Sequence, residues 1–165
     1  MDRFGTELFN LHPVRQYPLR HTLSAEVRRK IAIENAFIDR SIDLMDLSGF
    51  HGICMDVAHA EDLRRKNPEE FEKLERLVRK APVLVNHVSL SGDAALIDSY
   101  GEVTYHTHTR VEGGSLSYLR RYSQEFFGSI VAIELADSLA DQMEFVPVVE
   151  ELVEEKLQAV VKKAA

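Results

Sequence analysis

Carboxylates and imidazoles recur in this chain at the ends of short apolar runs. Glu7-Leu8-Phe9-Asn10-Leu11 is followed by His12, Ile31-Ala32-Ile33 by Glu34, and Gly52-Ile53-Cys54-Met55 by Asp56 with His59 just beyond. Further on, Pro82-Val83-Leu84-Val85-Asn86 ends in His87, the weaker run Glu102-Val103-Thr104-Tyr105 in His106 with His108 beyond it, and Ser129-Ile130-Val131-Ala132-Ile133 in Glu134. A charged or imidazole group at the inner end of a buried strand must be ion-paired, hydrogen-bonded or metal-bound, because an isolated one costs several kcal/mol. Singly, each has a structural explanation: Asp56 can cap a following helix, Glu34 and Glu134 can be salt-bridged, and His87 can be a satisfied core histidine. Jointly they are a mixed oxygen and nitrogen donor set suited to Mn²⁺, Zn²⁺, Co²⁺ or Mg²⁺, and the absence of thiolates argues against a closed structural zinc site.

These groups converge only if the runs are neighbouring strands of one sheet. The runs are mostly continuous rather than alternating, as parallel strands buried on both faces are. Between them lie helix candidates. Phe37 to Leu47 has Phe37, Ile38, Ile42 and Met45 on one side and Asp39, Arg40, Asp43 and Asp46 opposite. Asn67 can cap Pro68 to Lys80, proline suits the first helical position, and Phe71, Leu74, Leu77 and Val78 form its stripe. Ser115 to Phe126 carries Leu116, Leu119, Tyr122 and Phe126 at helical spacing, and residues 146–163 read as an amphipathic C-terminal helix lying over the sheet or docking on another subunit. Strand then helix, about six times over with short links, is an α/β pattern in which the active site opens at the carboxyl ends of the strands.

The balance of 45% hydrophobic and 28% charged residues in 165 suits a single globular domain, residues 1–165. A net charge of -7 leaves no general basic field and argues against nucleic acid as a partner. No apolar run approaches the roughly 18 residues of a membrane span, and the N-terminus lacks the basic-then-apolar layout of a signal peptide, which fits a cytoplasmic protein with no membrane association. Cys54 is the only cysteine, so no disulfide can form within the chain, and its apolar neighbours suggest an inert buried thiol.

Taken in order, four segments carry a resemblance: Met55-Asp56-Val57-Ala58-His59-Ala60, Val85-Asn86-His87-Val88-Ser89-Leu90-Ser91-Gly92-Asp93, His108 through Gly113-Gly114-Ser115-Leu116, and Ile130-Val131-Ala132-Ile133-Glu134-Leu135. With Ile31-Ala32-Ile33-Glu34-Asn35 and Leu11-His12-Pro13 upstream, the chain from about residue 7 to 137 resembles the xylose isomerase-like TIM-barrel superfamily of sugar isomerases, epimerases and abasic-site endonucleases. The resemblance implies that Glu34, Asp56, His87 and Glu134 are metal ligands, with Glu34 and Glu134 also the catalytic acid and base. It assigns His59, His108, His106 and His12 to substrate or to a second metal. His106 stands where the endonuclease branch has Asp, and Val14 where the superfamily has Gly.

Eight strand-helix units typically need about 250 residues. The expected fold is therefore a partial barrel of about six units lacking the first two, and its open edges call for a homo-oligomer or a complementing subunit. The leading functional expectation is a divalent-metal-dependent isomerase or epimerase acting on a small sugar or polyol. The alternatives are a non-catalytic metal-binding remnant or part of a split barrel, and a multi-zinc phosphodiesterase or abasic-site endonuclease. Weaker readings are a phosphate cradle at Val111-Glu112-Gly113-Gly114-Ser115, sugar-phosphate contacts from Arg20 or Arg110, loop positions for His21 and His51, and a solvated helix end at Arg64-Arg65-Lys66.

Overall fold

A computed structural model of the chain describes residues 7–12, 22–36, 45–97, 101, 103–108, 114–136 and 138–164. The apolar runs form β1 (Phe9–Leu11), β2 (Ile31–Glu34), β3 (Gly52–Asp56), β4 (Val83–Val88) and β7 (Ile130–Ile133), which pair in that order. All four pairings are parallel, giving a five-stranded sheet that curls like half a barrel. Among the described residues, β1 and β7 each pair on one side only.

Register and the two-residue period of a strand sort the side chains onto two faces. Leu11, Ile31, Ile33, Ile53, Met55 and Val88 belong to the convex face and join the hydrophobic core with Leu63, Leu74, Val78, Leu119 and Phe126. The concave face carries Asn10, Ala32, Glu34, Cys54, Asp56, Val85, His87 and Ala132, with Glu134 continuing the row beyond β7. One irregularity keeps this sorting in step. Ile53 pairs with Val83 but Cys54 with Val85, so Leu84 is an extra residue. A Cβ at Gly128 would lie 2.4 Å from the Leu84 carbonyl carbon, and one at Gly52 2.5 Å from the Pro82 carbonyl oxygen, so both positions require glycine.

The helices are α1 (Ala25–Arg28), α2 (Val57–Lys66), α3 (Pro68–Val78), α4 (Leu139–Met143) and α5 (Val146–Ala164). α3 follows its expectation: Asn67 caps it by accepting from the Glu70 amide, Pro68 opens it, and Leu74 and Val78 are buried. In α5, Val149 and Leu152 are buried and Val153 is half-buried, so its first turns face the core.

Three expectations need correcting. The run ending at His106 is not a parallel strand. It forms β6 (Val103–Thr107), paired antiparallel with β5 (Leu90–Ile97) in a separate hairpin between β4 and β7. Sidedness explains this: Asp62 on α2 takes hydrogen bonds from Thr104 Oγ1 and the Tyr105 amide, binding the hairpin across the helix rather than into the sheet. Consequently the parallel sheet has five strands, and the link after β4 is a hairpin rather than a helix. Second, Ser115 to Phe126 forms two short 3-10 segments, Ser117–Arg121 and Gln124–Phe126. The buried aromatics Tyr118, Tyr122 and Phe126 pack there at mutual angles, with the Tyr118 hydroxyl donating to the Ser89 carbonyl. Third, Met45 to Leu47 is not helical, while residues 37–44 of that candidate lie outside the described residues.

Candidate metal centre

The concave face is polar at its carboxyl-terminal end. Glu34 closes β2 at 3% exposure, and its Oε2 accepts a 2.7 Å hydrogen bond from Asn10 Nδ2 and lies 3.0 Å from His12 Nε2. His87, on β4, sits between two carboxylates: its Nδ1 is 3.7 Å from Glu34 Oε2 and 2.8 Å from Glu134 Oε1. Despite that proximity, buried Nδ1 makes no hydrogen bond of acceptable geometry. Burial opposes protonation of His87, but Glu134, Glu34 and Asp56 outweigh it and raise its pKa. In return, the imidazole beside Glu134 holds that carboxyl below its ordinary value.

Asp56 closes β3 and divides its side chain between two tasks. Oδ1 caps α2 by accepting from the Ala58 and His59 amides at 2.9 and 3.0 Å, while Oδ2 lies 3.8 Å from His59 Nε2. Asn35 braces this strand end. Its Nδ2 donates to the Asp56 carbonyl at 2.8 Å and its Oδ1 accepts the Asp56 amide at 2.6 Å. The structural explanation of Asp56 as a cap therefore holds for one oxygen and leaves the other facing His59.

His59, His106 and His108 form an arc beside these groups, with ring centroids 4.4 Å apart between the first two and 5.6 Å between the last two. Each hairpin histidine is anchored through Nδ1: His106 at 3.0 Å from Asp62 Oδ2, and His108 at 2.9 Å from the Glu134 carbonyl. The Ala136 amide also donates to the His108 carbonyl, so the end of the hairpin is clasped to the end of β7. Burial lowers the His59 pKa against the pull of Asp56, whereas Asp62 overcomes burial and raises that of His106. His106 and His108 thus reach the mouth from a hairpin docked on α2, not from a barrel strand.

Sequence reasoning passed over three contributors. Asn10 was part of an apolar run, and its only signal is its place two residues before His12. Cys54 is buried as expected, but it faces carboxylates rather than core: its Sγ, a Glu34 oxygen and a His87 nitrogen all lie within 4.8 Å of one another. Asp56 and Glu134 share the face but fall outside that tight triplet.

The third omission overturns the solvated helix end. Arg64 and Arg65 close on fully buried Glu61, together with Arg121 and the Tyr122 hydroxyl, at 2.7 to 2.9 Å. Lys66 lies 3.3 Å from Asp62. The helix carrying His59 is therefore locked by two buried acids at its centre. His51 is exposed, with Nδ1 against the Arg29 carbonyl. Arg20, His21, Arg110 and residues 111–113 of the expected phosphate turn lie outside the described residues.

Among the described residues, the donor atoms of Glu34, Cys54 and His87 lie close enough together that they could hold a metal ion, and His87 Nδ1 also faces the Glu134 carboxylate at 2.8 Å. Among the described residues, no helix is long and apolar enough to cross a membrane. No family model matches the chain, and comparison with curated proteins and with solved structures finds no significant match.

Proposed function

We propose that the chain is a divalent-metal-dependent isomerase or epimerase of a small sugar or polyol, in a partial barrel of the xylose isomerase-like kind. The observation that carries this reading is the placement of His87 between the carboxylates of Glu34 and Glu134 on a sheet face that ends in acids and imidazoles. Glu34, Asp56, His87 and Glu134 would hold the ion, Mn²⁺, Zn²⁺, Co²⁺ or Mg²⁺. When bound, it supplies Lewis acidity that polarises a carbonyl and an adjacent hydroxyl.

Glu34 ends β2 and Glu134 follows β7, on opposite sides of β4, so a substrate lying over His87 would have a carboxylate on each flank. One removes the proton from carbon beside the carbonyl and the other returns it, on the opposite face for epimerisation or to the neighbouring carbon for aldose-ketose exchange. Asn10 holds the Glu34 carboxylate in place, while Glu134, at 38% side-chain exposure, is the more accessible of the two. His12, His59, His106 and His108 would line the approach and bind substrate hydroxyls.

The test joins metal content by elemental analysis, for the wild type and for Asp56→Asn and Glu134→Gln, to turnover of a panel of ketoses and inososes with Mn²⁺. About one ion per chain, lost in both variants, together with turnover supports the reading; bound ion without turnover of any substrate sinks the catalytic part. A second reading, one part of a split barrel, is favoured by the pairing of β1 and β7 on one side only among the described residues. A solution mass equal to one chain argues against it.

A further inference from the structure

We propose that Cys54 is itself a ligand of this cation site, so that the site takes a thiophilic divalent ion, zinc or cobalt(II), in preference to magnesium. The proposal rests on the metal-centre reading above and deepens it. Its starting point is sidedness. On β3 the neighbours Ile53 and Met55 point into the hydrophobic core, whereas Cys54 pairs with Glu34 and Val85 and shares the concave face with Asp56. A thiol serving only to fill space would be expected among the apolar neighbours of the convex face. Here it is fully buried beside a Glu34 oxygen and a His87 nitrogen. A divalent cation held among these three would take the sulfur as thiolate.

Distance supports the assignment. The Glu34 oxygen, Cys54 Sγ and His87 nitrogen lie within 4.8 Å of one another. Donor atoms around a tetrahedral zinc, at its usual bond lengths, are about 3.3–3.6 Å apart, a spacing inside that limit. A second observation points the same way, because the buried Nδ1 of His87 faces two carboxylates, Glu134 Oε1 at 2.8 Å and Glu34 Oε2 at 3.7 Å, so that nitrogen and oxygen donors converge beside the sulfur. On binding, the sulfur–metal bond forms as the S–H bond breaks, and the proton leaves to solvent. Magnesium prefers an all-oxygen octahedral shell and gains little from sulfur, whereas zinc and cobalt(II) accept sulfur, nitrogen and oxygen together.

The experiment titrates the chelator-stripped full chain with cobalt(II) without oxygen, beside Cys54→Ala and Glu134→Gln. Expected is a thiolate-to-cobalt charge-transfer band in the near ultraviolet for the wild type, cobalt bound without that band in Cys54→Ala, and loss of cobalt binding itself in Glu134→Gln. Zinc should abolish the band at equimolar amount, magnesium only at more than a hundredfold excess, and Cys54→Ala should narrow that preference at least tenfold. Zinc-edge X-ray absorption of the wild type reads the same point without a variant, through one sulfur scatterer at about 2.3 Å. Cobalt bound with no band, or zinc with no sulfur neighbour, overturns the Cys54 proposal and leaves the metal centre standing. Failure to bind either ion overturns both.

Discussion

Replacing Glu61 by glutamine should destabilise the protein strongly near neutral pH and hardly at all in acid. Glu61 is fully buried and also accepts from Arg121; although burial opposes its ionisation, hydrogen bonds from Arg64, Arg65 and Tyr122 hold its carboxyl at about 2, against 4.5 for a free glutamate. At 1.36 kcal/mol per pH unit, the depression corresponds to about 3 kcal/mol of stability. The sign follows from the direction: because the folded value lies below the unfolded one, the contribution is complete above about pH 5 and disappears as pH falls through 4.5 towards 2. Glutamine keeps the volume and can still accept from Tyr122, but leaves the guanidiniums without a counter-charge. Arg64 and Arg121, at 38% and 49% exposure, can turn to water, whereas Arg65 at 17% cannot do so fully. Urea unfolding followed by far-ultraviolet circular dichroism at pH 7, 5 and 3 should give a gap of about 3 kcal/mol between wild type and Glu61→Gln at pH 7, narrowing towards pH 3. A gap of equal size at every pH would refute the electrostatic argument and leave only packing; no gap at pH 7 would refute the burial.

Gly128→Ala forces a methyl within 2.5 Å of Leu84 backbone atoms and should cost about 3 kcal/mol, while Gly101→Ala, with open space but φ 79, should cost only about 1 kcal/mol; thermal unfolding of the two side by side checks the contrast. Asn86 is fully buried, donating to the Phe126 carbonyl and accepting the Gly128 amide, so Asn86→Asp should lose about 2–4 kcal/mol in denaturant unfolding, and more as pH rises and the new carboxyl ionises. Asp62→Asn weakens the partner that raises the His106 pKa, so the His106 titration followed by NMR should move to lower pH, and hydrogen exchange should quicken at the Tyr105 amide, which Asp62 now accepts. Zinc at a hundred times its dissociation constant should add about 2.7 kcal/mol, a rise in Tm of about 5–10 °C that chelator reverses and His87→Ala abolishes.

Much of the scaffold was legible because its signals are local. Continuous apolar runs between helical patterns mark parallel strands, and the Asn67-Pro68 start of α3 needs nothing distant to act. The acids and imidazoles that close β2 and β3, stand next to last in β4, or follow β1 and β7 were visible as run ends, and register brings them onto one face. The hairpin was not legible. Leu90-Ser91-Gly92-Asp93 carries turn-forming residues, and it is strand because β6 pairs with it and Arg65 donates to the Gly92 carbonyl at 3.0 Å. The two 3-10 segments after it miscarried for a related reason: helical spacing of aromatics describes a face but not the hydrogen-bond pattern beneath it.

By itself, then, the sequence determined which residue types end each strand, where α3 begins and that one thiol is available. Tertiary structure alone decided that Asn10 supports Glu34, that Cys54 faces carboxylates, that two arginines beside Lys66 serve a buried acid, and that His106 and His108 arrive from outside the parallel sheet. The reason is physical. A continuous apolar strand does not declare its two faces, and a charged helix does not declare which of its acids is buried; both are assigned only when register and packing bring distant segments together.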